Sequence, residues 1–254
     1  MTARRAPAAA AVAAVLVLAA CTAGGEASTP GGTDGATGPV TDAVGDATER
    51  RAAEAPPCLP DDTEAVAIGP QDDPTLVAWT GTGTDAVVLA PQNGGGPCQW
   101  AEQMARLAGE GYLVASFSWS SDSRDSLLGA VDAVRAAGAQ QVALVGASKG
   151  GTYAAGLAAE ADAVAVVALG PPADLDGVDA RPEESGYEGP LLVVASTNDG
   201  DVAVGSSRWV SRPDDPSTFL ELPGGAHGVA LFTTSHRTQV QDAIDEVLAR
   251  GFGA

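Results

Sequence analysis

The sequence predicts an α/β fold, a three-layer α/β/α sandwich around a mostly parallel sheet of about eight strands. Short apolar runs rich in Val, Leu and Ala alternate along the chain with segments in which apolar residues recur at helical spacing. The later runs, such as 163–169 and 191–195, are apolar at nearly every position, which is typical of parallel strands covered on both faces. With 254 residues, 45% of them hydrophobic, the chain can bury one good-sized core.

Eight segments carry the apolar runs, and antiparallel pairing is expected among the first of them. The strand candidates are 64–68, 75–79, 86–90, 113–119, 141–145, 163–169, 191–195 and 218–222. Helical patterns lie between the later strands, at 100–107, at 127–134, in the alanine-rich run after Gly151 and at 240–248.

The first 20 residues have the features of an export signal. Arg4 and Arg5 precede an apolar run over 8–20, which is short for a membrane span but suits the apolar region of a signal peptide. The run ends in the sequence LAAC, which resembles a bacterial lipobox and implies a diacylated Cys21 that anchors the protein to the extracytoplasmic face of the cell membrane. The alternative is an ordinary small-residue cleavage site beside an incidental cysteine.

The residues after this cysteine predict a linker. Residues 21–57 are rich in Gly, Ala, Thr, Asp and Pro and have no sustained hydrophobic period, so we expect a disordered tether. Residues 58–254 are the predicted folded domain, and we expect it to be a monomer.

Charge and cysteine content exclude several kinds of partner. A formal charge of −20 would repel phosphate backbones, and only 4% aromatic residues leave little material for stacking on bases, so nucleic acid is not an expected partner. Cys58 and Cys98 remain as an even pair in an exported protein, which predicts a disulfide. No histidine accompanies them at metal-ligand spacing, and neither a metal nor a cofactor is predicted.

Residues 146–150 read GASKG and lie between a strand-like run and the alanine-rich helical segment. They fit the pattern G-x-S-x-G, in which small neighbours permit a sharp turn that exposes the Ser148 hydroxyl. A phosphate-binding loop is one alternative, because residues 149–152 begin like a variant of that motif. However, Tyr153 and two alanines follow where a lysine and a hydroxyl residue are needed. The other alternative is a glycine-rich turn without chemistry.

The strand-turn-helix context resembles the nucleophile elbow of the α/β-hydrolase superfamily. In that superfamily the acid follows the nucleophile after a later strand, and the histidine comes last, before the final helix. The resemblance implies a catalytic triad of Ser148, Asp199 and His227. Asp201 is the alternative acid, and His236, the only other histidine, is expected to be a solvated or capping residue.

The resemblance also implies two backbone N–H donors for the oxyanion. One comes from the residue after the nucleophile, Lys149, and the other from the loop that follows the strand 86–90. The His-Gly of the family is replaced there by Pro91 and Gln92, and proline has no N–H. Gln92 is therefore the predicted second donor, with Asn93 as the alternative.

Lys149 is the only lysine in the chain, and two roles stay open for its side chain. It could contact a substrate carboxylate, or it could pair with a neighbouring acid. A Ser-Lys dyad is disfavoured, because adjacent residues at an elbow usually diverge.

Residues 170–190, where many relatives insert a lid, are rich in Pro, Asp, Glu and Gly and show no helical cap. The region from Cys58 onwards is therefore similar to the small dienelactone-hydrolase-like and carboxylesterase branches, although the former use a cysteine where this chain has Ser148. The resemblance implies hydrolysis of a small-molecule ester through an acyl-enzyme, and thioesterase or peptidase activity stays open. The rival hypothesis is a surface lipoprotein that has the hydrolase fold and a binding role but no turnover.

Overall fold

The computed structural model describes residues 49–253, which contain eleven strands and six α-helices. The strands are β1 (Arg50–Ala52), β2 (Glu64–Ile68), β3 (Thr75–Thr80), β4 (Asp85–Ala90), β5 (Leu113–Phe117), β6 (Gln141–Ala147), β7 (Ala165–Leu169), β8 (Asp174–Leu175), β9 (Val178–Asp179), β10 (Leu191–Ser196) and β11 (Phe219–Leu222). The α-helices are α1 (Ala101–Gly109), α2 (Ser123–Ala136), α3 (Lys149–Gly156), α4 (Pro182–Ser185), α5 (Val204–Arg208) and α6 (Arg237–Phe252). Short 3-10 helices span Pro97–Trp100, Pro216–Thr218 and Gly228–Thr233.

One sheet contains nine of these strands in the order β1-β2-β3-β5-β4-β6-β7-β10-β11. The pairs from β5 to β11 along this order are parallel, whereas β1, β2 and β3 join the sheet by antiparallel pairing. The prediction of a mostly parallel sheet with antiparallel first strands is confirmed, with nine strands in place of about eight.

Helices cover both faces of this sheet, because alternate residues of a strand point to opposite sides. The side chains of β4 accordingly belong in turn to two hydrophobic clusters, one on each face of the sheet. The first, which we call the α2/α3 face, includes Val88, Leu127 and Tyr153. The second, which we call the α1/α6 face, includes Leu89, Met104 and Ile244. The predicted three-layer sandwich is therefore confirmed.

The sheet begins before Cys58, which is the predicted first residue of the folded domain. Arg50–Ala52, which fall within the predicted linker 21–57, pair with β2 as an edge strand, and the Arg51 guanidinium donates a hydrogen bond to the Gly69 carbonyl. Three residues without alternating hydrophobicity give no strand signal. Backbone pairing with a neighbour, which the sequence does not display, determines this element.

The segment between β7 and β10 is small. Its regular elements are the two-residue strands β8 and β9, which pair with each other as a hairpin, and the four-residue helix α4. Residues 170–190 therefore contain a short hairpin where many hydrolases carry a helical cap. Among residues 49–253, no helix is long and apolar enough to cross a membrane.

Parallel pairing places the predicted site residues at one edge of the sheet. The strands β4, β6, β10 and β11 run in the same direction, so their carboxyl ends meet at this edge. The loops after them carry Gln92, Ser148, Asp199 and His227, respectively. Ligands bind at this edge in open α/β sheets.

Candidate active site

Ser148 lies at a sharp turn between β6 and α3. Its backbone has φ 50° and ψ −118°, a left-handed conformation that is costly for a residue with a side chain and is often found at functional sites. Two glycines permit the turn. A side-chain carbon at Gly146 would lie 2.1 Å from the Gly150 carbonyl oxygen, and one at Gly150 would lie 2.2 Å from the Ala90 carbonyl oxygen. The glycines of the GASKG motif are thus explained by close backbone approaches.

Asp199 and His227 form a direct contact at the ends of β10 and β11. Asp199 Oδ2 lies 2.7 Å from His227 Nδ1, and Asp199 Oδ1 accepts hydrogen bonds from the backbone N–H groups of Asp201 and Val202 at 2.9 and 3.1 Å. The Asp199 side chain is 1% exposed and that of His227 is 11% exposed. The carboxylate is therefore held by three donors while one edge of the imidazole stays accessible.

Asp201 and His236 occupy different surroundings. Asp201 is exposed, and its carboxylate comes within 4.8 Å of Asp199 and His227 without a hydrogen bond to the ring. These three side chains could in principle surround a metal ion, but both Asp199 oxygens already accept hydrogen bonds. His236 immediately precedes α6 and makes no side-chain hydrogen bond to that helix.

The His227 loop packs closely against the elbow. A side-chain carbon at Gly170 would lie 3.0 Å from His227 Nδ1, and one at Gly228 would lie 3.3 Å from the Ala147 Cβ. Within residues 49–253, Ser148 Oγ forms no hydrogen bond, with His227 or with any other group. In hydrolases this bond is often long in the free enzyme and tightens in the substrate complex.

The two backbone donors predicted for the oxyanion differ in their surroundings. Lys149 N–H, at the first position of α3, has no acceptor among residues 49–253, as expected for the first turn of a helix. Gln92 N–H donates to Gln99 Oε1 at 2.9 Å, so this predicted donor is already engaged. Asn93 N–H, the alternative, has no acceptor in the same part of the chain.

Three side chains support the loop after β4. Besides Gln99, the Trp119 indole N–H donates to the carbonyl oxygens of Pro91 and Gln92, both at 3.2 Å. The Gln92 side chain reaches in the other direction, where its Oε1 accepts from the Val229 N–H at 3.0 Å. This bond connects the loop after β4 with the loop that carries His227. The supporting roles of Gln99, Trp119 and the Gln92 side chain were not predicted from the sequence, because no motif indicates them.

Cys58 and Cys98 are joined by a disulfide, as predicted, with their Cα atoms 5.6 Å apart. Cys98 belongs to the 3-10 helix Pro97–Trp100, as does Gln99. The bridge therefore connects the segment before β2 with the 3-10 helix whose Gln99 contacts the loop after β4.

The Lys149 side chain lies along the α2/α3 face. Its ammonium lies 4.8 Å from the centre of the Trp119 ring and 5.6 Å from that of Tyr153. Burial raises the pKa of the Tyr153 phenol, which keeps this ring neutral. The nearest carboxylate oxygen belongs to Asp176, at the tip of the β8–β9 hairpin, 3.8 Å from the ammonium. Pairing with a neighbouring acid was one of the two roles predicted for this lysine. The structure contains such an acid, Asp176, but at 3.8 Å its carboxylate is beyond hydrogen-bonding distance.

A cleft of about 510 Å³ adjoins His227 on the α1/α6 face. Its lining combines polar side chains, among them Gln92, Glu102, Asp201 and His227, with apolar surface that includes Phe232 from the hydrophobic cluster of that face. A larger cleft of about 740 Å³, lined by Arg208, Trp209 and Phe219 among others, contains none of the predicted triad residues. Of the three predicted triad residues, His227 lines the smaller cleft.

Comparison with known proteins identifies the fold. No protein-family model matches the chain, and no curated protein matches it either. Among solved structures, Est1E from Butyrivibrio proteoclasticus is 15% identical, with 75% of this chain and 99% of that chain covered and a TM-score of 0.57. An esterase from Pyrococcus furiosus is 16% identical, with 79% and 97% covered and a TM-score of 0.59.

A serine hydrolase from Xanthomonas campestris that is described as lacking a lid is similar to the same degree. It is 16% identical, with 75% of this chain and 97% of that chain covered and a TM-score of 0.54. Structural matches at sequence identities this low show the fold and do not show the activity. The chain has the α/β-hydrolase fold, as the sequence predicted.

Proposed function

We propose that this protein is an extracytoplasmic serine hydrolase that cleaves carboxylic esters through an acyl-enzyme. The observation that carries the proposal is the buried Asp199–His227 pair next to the strained Ser148 turn. A nucleophile, a base and a group that orients the base are the three parts that such catalysis needs. The esterases among the structural neighbours, and the small segment between β7 and β10, support an ester substrate.

In the proposed first step, Ser148 Oγ attacks the ester carbonyl carbon while His227 Nε2 takes the hydroxyl proton. Asp199 holds Nδ1–H, so that Nε2 is the free base, and it stabilises the imidazolium that forms. The tetrahedral intermediate collapses when the ester C–O bond breaks, and His227 delivers the proton to the leaving alcohol. Water then repeats the sequence on the acyl-enzyme, which releases the acid and restores Ser148.

The oxyanion of the intermediate needs two N–H donors. Lys149 N–H is the first, because it follows the nucleophile and has no acceptor among residues 49–253. For the second we favour Asn93 over Gln92, since the Gln92 N–H already donates to Gln99. In this arrangement Gln92 and Gln99 hold the loop in place, and Asn93 presents the donor.

The leaving alcohol occupies the cleft beside His227, because that histidine must protonate it. The lining of this cleft contains Asp201, several side-chain amides and Glu102, which forms an ion pair with Arg237. The Asp201 carboxylate makes this cleft less suitable for an anionic alcohol than for a neutral one.

Labelling with a fluorophosphonate probe tests the proposed function, because the probe reacts only with an activated serine. The wild-type protein should be labelled, and Ser148→Ala and His227→Ala should not. His236→Ala is the matched control and should be labelled like the wild type. Absence of labelling in the wild-type protein would favour the rival hypothesis, a hydrolase-fold lipoprotein with a binding role.

We also propose that the protein is a lipoprotein that is anchored through Cys21 on the extracytoplasmic face of the cell membrane. The support is the lipobox-like LAAC sequence after an apolar run. Cys21, the signal segment and most of the predicted linker lie outside the described residues. The Cys58–Cys98 disulfide is consistent with an oxidising compartment.

A further inference from the structure

The Lys149 ammonium lacks the hydrogen-bond partners that a buried cation normally has. The side chain is only 10% exposed, yet among residues 49–253 its Nζ donates no hydrogen bond. The Asp176 carboxylate, 3.8 Å away, is beyond hydrogen-bonding distance. The Trp119 and Tyr153 rings stabilise the positive charge but accept no strong hydrogen bond. Three N–H donors of a cation that lies against two aromatic rings are therefore available to a ligand.

The position of this ammonium relates it to the proposed catalytic centre. Lys149 follows Ser148 directly, and the Trp119 ring beneath its ammonium donates to the carbonyl oxygens of Pro91 and Gln92 in the oxyanion loop. The cation thus lies at the same edge of the sheet as the nucleophile, beside the loop that receives the substrate carbonyl.

The ammonium and the His227 cleft lie on opposite faces of the sheet. Tyr153 and Trp119, which flank the ammonium, pack in the cluster of the α2/α3 face. Phe232, which lines the cleft, packs in the cluster of the α1/α6 face. The leaving alcohol must be close to His227, from which it takes its proton. An acyl group that stays on Ser148 and points away from His227 is directed towards the face that carries the ammonium.

We propose that the Lys149 ammonium binds a carboxylate at the far end of the acyl group, so that the preferred substrates are half-esters of dicarboxylic acids. This inference rests on the proposed serine esterase function. Lys149 forms no covalent bond in the reaction and contributes by binding the anionic end of the substrate. Carboxylate is the natural ligand for an ammonium with three free donors, since charge-assisted hydrogen bonds are the strongest that a side chain makes.

Asp176 is the counterion that the substrate carboxylate replaces. Asp176 and Gly177 have φ values of 50° and 84°, which is the geometry of a tight two-residue hairpin turn, so the backbone at this position is fixed. The Asp176 side chain is 62% exposed and can turn towards water when an anion enters. Its negative charge also competes with the substrate, and its removal should strengthen the binding of an anionic acyl group.

The test compares each half-ester with a neutral counterpart of the same shape. Monobutyl esters of succinic, glutaric and adipic acid are assayed against the analogues in which the free carboxyl group is a carboxamide, and the released butanol is measured. For at least one chain length, kcat/KM of the half-ester should exceed that of its carboxamide about ten- to hundredfold, the effect of one charge-assisted hydrogen bond. Ratios near one at all three lengths would overturn the inference.

Two variants test whether Lys149 and Asp176 determine the preference for a half-ester over its carboxamide. Lys149→Met should reduce the ratio of the two kcat/KM values to about one, and Asp176→Asn should raise it above the wild-type ratio. If Lys149 only anchors the hairpin, Lys149→Met will lower the melting temperature and leave the ratio unchanged. Asp176→Asn removes no substrate-binding group, so a ratio that does not rise in this variant contradicts the inference even where Lys149→Met fails to fold.

The carboxamide substrates separate this inference from the function on which it rests. If they are hydrolysed, and Ser148→Ala abolishes their hydrolysis, the proposed esterase function is supported at any ratio of the two kcat/KM values. If neither series is hydrolysed and no probe labelling occurs, the proposed function and the inference fail together.

Discussion

Asp199 Oδ2 lies 2.7 Å from His227 Nδ1, and two backbone N–H groups hold the other oxygen of the same carboxylate. These contacts fix the position of the carboxylate before any substrate arrives. In the mechanism that we propose, the proton is on Nδ1 and Nε2 is the base. Asp201, the other acid that the sequence allowed for this role, contributes its backbone N–H to Asp199 while its own side chain is exposed.

Asp199→Asn should reduce ester turnover far more than Asp201→Asn does. An amide at position 199 can donate to Nδ1, which stabilises the unproductive tautomer, and the expected loss in kcat is roughly ten-thousand-fold. Asp201→Asn keeps the backbone N–H that Asp199 uses, so its kcat should stay close to that of the wild type. Steady-state kinetics on a short p-nitrophenyl ester measures kcat of both variants. A greater loss in Asp201→Asn would contradict the assignment of Asp199 as the triad acid.

A second prediction concerns the side-chain amide of Gln92. Its Oε1 accepts the Val229 N–H at 3.0 Å and so connects the oxyanion loop with the residues that follow His227. Gln92→Leu has a similar size but no acceptor, which leaves the Val229 N–H unsatisfied at a cost of about 1–3 kcal/mol. We expect kcat to fall about tenfold, because loss of this bond displaces the histidine.

Gln92→Glu is the matched control for this prediction, since a carboxylate oxygen can accept the same N–H. Its kcat should lie nearer to that of the wild type than the kcat of Gln92→Leu. Equal losses in both variants would mean that the hydrogen bond to Val229 has no positioning role.

Much of this architecture was predictable because it follows from local chemistry and chain order. The G-x-S-x-G pattern required a tight turn, and the structure shows backbone contacts that exclude any side chain at Gly146 and Gly150. An acid after β10 and a histidine after β11 were recognised from their order along the chain. Parallel strands then brought these distant segments to one edge, as the apolar runs indicated.

Other features depend on contacts that a sequence does not display. Nothing in the loop sequence indicates that the Gln99 side chain engages the Gln92 N–H, or that the Trp119 indole supports the same loop. The β8–β9 hairpin did leave a signal. Asp176 and Gly177 form the dipeptide that is typical of a two-residue hairpin turn, and its flanking strands were too short to be noticed.

A third prediction concerns the membrane anchor. If Cys21 is diacylated, Cys21→Ser should move the protein from the detergent phase to the aqueous phase in a phase-partition experiment, because two acyl chains are sufficient for stable anchoring. Turnover of a water-soluble ester should not change, since the predicted linker separates this residue from the domain. Metabolic labelling with palmitate provides the control, and it should mark the wild-type protein only. A Cys21→Ser variant that stays in the detergent phase would refute the lipobox prediction.

The fourth prediction concerns the Cys58–Cys98 disulfide, which closes a loop with a sequence separation of 40 residues. Replacement of both cysteines by serine should lower the free energy of unfolding by about 2–4 kcal/mol, because the unfolded chain regains the freedom that the bridge removes. Denaturant titration measures this change. Reduction of the wild-type protein with dithiothreitol is the control and should reproduce the loss.

The same double variant should also lose turnover, and by more than instability explains. Cys98 precedes Gln99, whose side chain engages the Gln92 N–H in the oxyanion loop, so a looser 3-10 turn should misplace the neighbouring Asn93 donor. Loss of one oxyanion donor costs about a hundredfold or more in kcat, and a partly displaced donor should cost less than that. Measurement well below the unfolding temperature separates the two effects. If kcat there equals that of the wild type, the bridge stabilises the fold without positioning the loop.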